Sequence, residues 1–201
     1  MKQKIKILPS DKGYDLAAKN YNKKEKYLNS FEQGKLFPLL GDIKGKKVLD
    51  AGAGTGRLTV ELARLGAEVT VLDISEEMLK ILQKKNPKVK IVVGDVENMP
   101  FEKESFDLVV AAFVIVHLKN PIRFFDEVYR VLKDGGKFLV TNINQKEPPE
   151  VETSEGLVKI ESYYHRPEKI KEILESLAFS AEEVFTYEND NWINQIIVAK
   201  K

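Results

Sequence analysis

The chain has 201 residues, with Lys plus Arg at 32 against Asp plus Glu at 31, 43% hydrophobic residues and no cysteine. That length fits one domain with a proper core, and the charge balance excludes both a disordered polyelectrolyte and a polyanion-coating surface, so nucleic acid is not an expected partner. Without thiols there are no disulfides, thiolate metal sites or cysteine nucleophiles, which suits a reducing cytoplasm.

Residues 1–9 alternate Lys with Ile and lack an uninterrupted apolar run, and no stretch approaches about 18 apolar residues, so neither a signal peptide nor a membrane span is read. The first 26 residues hold eight lysines against Asp11, Asp15 and Glu25. Tyr14, Ala17, Ala18, Tyr21 and Leu28 recur at spacings of three, four and seven, which predicts an amphipathic helix with its lysines in water. A second short helix is expected over 31–40, ended by Gly41-Asp42 and Gly45.

From Lys46 onward, short apolar runs alternate with longer amphipathic stretches, the pattern of a parallel sheet with crossover helices. Strands are predicted at 47–50, 68–73, 89–93, 106–111 and 137–141, and helices at 56–65, 76–85, 121–132 and 167–178. Ser75 before Glu76 and Glu77 offers a helix cap, Pro121 and Pro167 suit first turns, and Gly135-Gly136 closes a helix. Two strand-like runs, 182–186 and 192–199, flank the turn cluster 188–191 and must pair antiparallel. The expected fold is therefore α/β, a doubly wound, Rossmann-like and mostly parallel seven-stranded sheet with N-terminal helices and an antiparallel C-terminal hairpin. We divide it into a helical cap (1–45), a core (46–143) and a lid loop, helix and hairpin (144–201). Residues 144–162, with Pro148-Pro149 and many glutamates, are expected to form a mobile loop.

Three stations carry chemistry. In Val48-Leu49-Asp50-Ala51-Gly52-Ala53-Gly54-Thr55-Gly56-Arg57 an apolar strand ends in a glycine turn that opens a helix. Glycine allows positive φ and close approach of a ligand, and free N–H groups at a helix start favour an anionic group. Arg57 stands where a dinucleotide fingerprint needs its third glycine, so a compact ligand is favoured over pyrophosphate. The strand ending at Asp73 delivers a carboxylate to the ligand-binding edge of the sheet, 17 positions after Gly56, where it can accept two hydrogen bonds from ribose hydroxyls. Gly94-Asp95-Val96 places a second carboxylate and a backbone N–H at the next strand end, suited to adenine; an Asx turn is the structural alternative for Asp95.

Together these stations resemble the class I methyltransferases that use S-adenosylmethionine (AdoMet). The stretches Asn98-Met99-Pro100-Phe101, 105–110 and 128–136 resemble that family's later segments. Closest is the small-molecule branch that includes the quinone-biosynthesis enzymes, whose N-terminal Tyr-Asp-x-x-Ala-x-x-Tyr is echoed from Tyr14 to Tyr21. The resemblance implies AdoMet as methyl donor and S-adenosylhomocysteine as product. It also implies that Asp50, Ala51, Gly52, Gly54 and Gly56 surround the methionine half, with Asp50 at its amino group. Asp73 would hold the ribose, Ile74 would pack on adenine, Asp95 and the Val96 N–H would read its edge, and Tyr14 and Tyr21 would close over the methionine carboxylate.

A sulfonium is already activated, so holding an acceptor in line at about 3–3.5 Å can supply roughly 7–11 kcal/mol of barrier lowering. A base is needed only for a protonated acceptor. His117 and His165 are the two histidines, both expected at sheet-edge loops and both usable as bases near neutral pH. No metal is expected, because no carboxylate cluster stands out. Ala111-Ala112-Phe113-Val114 replaces the Asn/Asp-Pro-Pro-Tyr run of amino-directed nucleic-acid enzymes. The expected acceptor is a small molecule, handled by a monomer or homodimer. A protein or RNA methyltransferase and a non-catalytic AdoMet-binding or regulatory protein are the alternatives.

Overall fold

A computed structural model describes residues 5–22, 25–153 and 156–201. The chain begins with β1 (Lys6–Leu8), α1 (Ser10–Tyr21) and α2 (Glu25–Leu40). The side chains of Leu28 and Phe31, which the periodicity assigns to these helices, lie outside the described residues, as do residues 1–4. The core follows as β2 (Lys47–Ala51), α3 (Thr59–Arg64), β3 (Glu68–Asp73), α4 (Glu76–Lys85), β4 (Lys90–Val93) and β5 (Phe106–Ala111). A 3-10 turn (Ile115–His117) leads to α5 (Ile122–Val131) and β6 (Leu132–Ile143). Then come β7 (Glu150–Thr153), β8 (Gly156–Ile160), α6 (Pro167–Ser176), β9 (Ser180–Glu188) and β10 (Asn191–Lys200).

The seven-stranded sheet runs β4-β3-β2-β5-β6-β10-β9. Pairing is parallel from β4 to β6, and β10 is antiparallel to both of its neighbours. This is the expected α/β sheet with its antiparallel hairpin. Its strand order reverses at β2 and β5, and crevices beyond the strand ends at such a point take ligands in open α/β sheets. Period-two alternation divides the core. Leu49, Val109 and Phe138 face Phe124, Phe125 and Ile170 of α5 and α6, whereas Val48, Val71, Val110 and Leu139 face Leu36, Leu62 and Leu82 of α2, α3 and α4.

Local punctuation accounts for most helix ends. The Ser75 hydroxyl caps α4 by accepting from the Met78 N–H at 3.2 Å, with Glu76 and Glu77 in the first turn. Pro167 opens α6. The helix expected over 56–65 starts later, at Thr59, because Gly56 has φ +85° and the chain turns through residues 54–58 first.

Residues 144–162 are not the loop that was expected. Among them β7 and β8 form a hairpin, and β8 pairs parallel with β1 in a separate three-stranded sheet. Val151, Val158 and Ile160 alternate with charged residues, and together with Leu8 and Ala17 they close a small core of their own. That burial orders the segment despite its glutamates. This strap carries α1 across the carboxyl ends of the parallel strands. Its fit is close: a Cβ on Gly13 would stand 2.9 Å from Ile160 Cγ1. Polar latches hold the helix, with the Asp15 carboxylate accepting from Ser75 Oγ at 2.6 Å and Thr55 Oγ1 donating to Asn22 Oδ1 at 2.6 Å.

Candidate active site

Under α1 the ends of β2, β3, β4 and β5 frame a partly open cavity of about 690 Å³, the solvent at its mouth included. Gly52 and Gly54, Asp73 and Ile74, and Gly94, Asp95 and Val96 form three of its walls, while Ala112, Phe113, Val114, His117 and Leu118 form a fourth. Ser10, Tyr14 and Tyr21 of α1 make the roof. A second cavity of about 340 Å³ shares Tyr21, Gly52, Gly54, Ala112 and Phe113 and continues to Asp50 and Arg57. Three stations spread over 45 residues of sequence, from Gly52 to Val96, thus meet around the first cavity.

The glycine turn differs from expectation in one respect. Gly52 N–H donates to Leu72 O at 2.7 Å, Gly54 N–H to Asp73 Oδ2 at 2.7 Å and Gly56 N–H to Ala53 O at 3.0 Å. These three glycine N–H groups are already satisfied and are not free donors for an anion. The turn contributes space. A Cβ on Gly54 would meet nothing within 4 Å. Gly56 does not line either cavity; a Cβ there would stand 2.2 Å from Leu82 Cδ1, and its role is to let α4 approach. Ala51 is fully buried and also away from both walls.

Asp50 is only 2% exposed, and burial pushes its carboxyl up to about 6 even though Thr59 Oγ1 donates to it at 2.5 Å. Such a buried anion suits a cationic partner. Burial also raises the Asp73 carboxyl, against the hydrogen bonds it accepts from the N–H groups of Ser75 and Gly54. Asp95 Oδ1 accepts from the Glu97 N–H at 2.8 Å, which is the Asx turn, and the residue still lines the cavity. Ile74 is 44% exposed, an apolar side chain left uncovered on the wall.

The two histidines part company. His117 lies on the wall, bonded to the Tyr14 hydroxyl at 2.7 Å and to Glu161 O at 2.8 Å. His165 is not on the cavity; its Nε2 stands 2.9 Å from both Ile115 O and Leu118 O, so it donates to those carbonyls and ties down the turn that carries His117.

Sequence reasoning missed Arg57, Glu32 and Phe113. Arg57 lines the second cavity, pairs with the buried Glu32 of α2, and lies 5.1 Å above the Phe113 ring. Glu32 was findable, because it precedes the buried Leu36 and Leu40 by four and eight residues and so sits on the apolar stripe of α2, where a carboxylate needs a partner. Phe113 has φ +60°, a left-handed conformation that is rare for a bulky residue and is held here by its N–H donating to Thr141 Oγ1 at 2.9 Å. Among the described residues no group of three His, Asp or Glu could hold a metal ion, and no helix is long and apolar enough to cross a membrane.

Comparison with known proteins falls on this same region. Residues 49–140 match the family model described as a methyltransferase domain. Among relatives, a demethylmenaquinone methyltransferase of Renibacterium salmoninarum is 35% identical over 105 residues, 52% of this chain and 44% of that protein. One from Chlorobaculum tepidum is 42% identical over 91 residues, 45% of this chain and 38% of that protein. The chain therefore spans less than half the length of these two relatives. Among solved structures, an S-adenosylmethionine-dependent methyltransferase from Mesorhizobium loti has a TM-score of 0.71 at 19% identity, covering 85% of this chain and 97% of that one. Magnesium protoporphyrin IX methyltransferase from Synechocystis, with bound SAM, has a TM-score of 0.64 at 19% identity, covering 92% and 79%. At these identities the structural likeness establishes the class I methyltransferase fold. The family match begins inside β2, ahead of Gly52, spans all three stations and ends at residue 140 inside β6.

Proposed function

We propose that this chain moves a methyl group from AdoMet to a small-molecule acceptor in the cytoplasm. The observation that carries this reading is the joined pair of cavities, which offers each part of AdoMet chemistry of matching sign and polarity. Buried Asp50 suits the ammonium, Arg57 the carboxylate, Asp73 the ribose hydroxyls, and the Ile74 and Val96 walls an adenine ring. Bound there, AdoMet would supply an electrophilic methyl on a positively charged sulfur. The residues of this chain bind, orient and exclude water: α1 and the strap roof the space, and Phe113 is locked where the two cavities join. The roof also favours an acceptor small enough to share the larger cavity, which supports a small molecule over protein or RNA. The demethylmenaquinone relatives make a phenolic or quinol ring the first class to try.

Titration calorimetry tests the donor reading. AdoMet and S-adenosylhomocysteine should bind and NADH should not. Replacing Asp73 with Ala should weaken AdoMet binding by about 1.5–3 kcal/mol, the range for hydrogen bonds to a charged group. An unchanged affinity would take Asp73 out of the site. Methyl release from labelled AdoMet into a panel of acceptors then separates an enzyme from a protein that only binds.

A further inference from the structure

The wall of the larger cavity contains a proton path that holding a nucleoside does not require. His117 Nδ1 lies 2.8 Å from the Glu161 carbonyl, and Nε2 lies 2.7 Å from the Tyr14 hydroxyl. A carbonyl oxygen can only accept, so Nδ1 carries the ring's hydrogen. In the neutral ring Nε2 then has a lone pair, and the phenol must be the donor to it. Burial lowers the pKa of His117, which keeps the ring neutral at pH 7 and its Nε2 able to take a proton. The order is fixed: Tyr14 O–H to Nε2, Nδ1–H to Glu161 O.

The geometry is braced from each side. Tyr14 stands edge-on to the His117 ring at 5.1 Å and to Tyr21 at 5.7 Å. The turn carrying His117 is tied to the strap by the Tyr163 N–H, which donates to Val116 O at 2.7 Å, and the Glu161 N–H donates to Leu8 O at 2.8 Å. The hydroxyl therefore keeps one direction, and both Tyr14 and His117 line the cavity.

We propose that Tyr14 takes the proton of a hydroxyl-bearing acceptor, a phenol or enol, while passing its own phenolic proton to His117 Nε2. This deepens the reading above and rests on it. The acceptor O–H bond breaks and a Tyr14 O–H bond forms; the former Tyr14 proton ends on Nε2, giving an imidazolium still bonded to Glu161 O. The electron pair left on the acceptor forms the bond to the methyl carbon, and the C–S pair stays on sulfur. One positive charge enters on sulfur and one remains on His117, so the cavity never holds an added net charge. Burial and the neighbouring Tyr21 and Asp73 hold the Tyr14 hydroxyl above the ordinary phenol range, which disfavours a standing phenolate and favours coupled transfer of both protons. Tyr14 is thus the catalytic residue and His117 the positioning residue that acts through it. A neutral amine attacks with its own lone pair and needs no such relay, whereas a hydroxyl gains nucleophilicity as its proton leaves.

The test reads ionisation rather than turnover. The 201-residue chain is saturated with an unreactive AdoMet analogue bearing an ammonium in place of the sulfonium, and 4-nitrophenol is added at a pH where it is mostly protonated in solution. Wild type should show the phenolate band of the bound probe. Tyr14→Phe, saturated with the analogue at the concentration its own titration requires, should lose the band. The discriminating variant is His117→Gln, because its amide can accept from Tyr14 and donate to Glu161 O yet cannot take a proton. A purely structural His117 predicts that the glutamine variant keeps the band; the relay predicts its loss, with the double variant no worse than Tyr14→Phe. A protonated probe in wild type, an undiminished band in either variant, or no binding of any of a panel of substituted phenols overturns the proposal. If the analogue itself does not bind, it is the AdoMet reading that fails.

Discussion

Replacing Gly54 with Val should leave a folded protein that no longer binds AdoMet, while the same change at Gly56 should mainly cost stability. Both glycines have positive φ, +56° and +85°, so each substitution carries left-handed strain, about 1–3 kcal/mol for a β-branched residue. They differ in what surrounds the new side chain. At Gly54 nothing lies within 4 Å of an added Cβ, so the valyl group projects into open space shared by both cavities. At Gly56 the Cβ would fall 2.2 Å from Cδ1 of Leu82, which is fully buried in the core of the α4 face, so the Leu82 side chain would have to shift within a packed core. Strain and overpacking together should exceed about 3 kcal/mol there. For a chain of this length each kcal/mol shifts Tm by about 2–4 °C, so Gly54→Val should melt a few degrees low and Gly56→Val at least twice as far below wild type. Calorimetric titration of Gly54→Val should show at least a 100-fold loss of affinity. Wild-type affinity in that variant would mean the open side of the turn is not where the donor lies.

The contrast between these two glycines shows what a linear sequence can and cannot disclose. A run such as Val48-Leu49-Asp50-Ala51-Gly52 announces a buried strand and a tight turn, because apolar continuity and positive φ are local requirements. The parallel core and its hairpin were legible for that reason. Which glycine faces a ligand and which faces Leu82 depends on α4, 26 residues away. The strap escaped notice because β1 has three residues and β7 and β8 four and five, each interrupted by charges, so their alternation is too short to stand out beside Pro148-Pro149. His117 and His165 look equivalent as loop histidines. Only the fold brings Tyr14 to one, across 103 residues, and two backbone carbonyls to the other.

Replacing Asp50 with Asn should stabilise the protein while removing its grip on the donor. Burial lifts the Asp50 carboxyl from 3.8 to about 6, so at pH 8 its ionised form is held at a cost on the order of 3 kcal/mol relative to the unfolded chain. The direction follows from linkage: the folded value lies above the unfolded one, so the protonated group favours folding below about 3.8, and that contribution fades as pH rises through about 6. Asparagine has no such charge, and its carbonyl can still accept from Thr59. At pH 8 the variant without ligand should therefore melt several degrees higher than wild type, and the gain should shrink as pH falls toward 5. Binding should move the other way. If, as proposed, the ammonium of AdoMet or S-adenosylhomocysteine pairs with the ionised carboxylate, affinity in wild type should fall nearly tenfold per pH unit below about 6. Buried Asp73 and Glu32 and the neighbouring Arg57 shape the same field in both proteins, so the difference between wild type and Asp50→Asn isolates residue 50. The variant should bind at least tenfold more weakly at pH 8 and lose most of that pH dependence. A lower Tm together with an unchanged binding profile would make Asp50 a strut for Thr59 and nothing more. The opposite pair of results would mean that the charge is kept, against the stability of the fold, for a cation that arrives with the ligand.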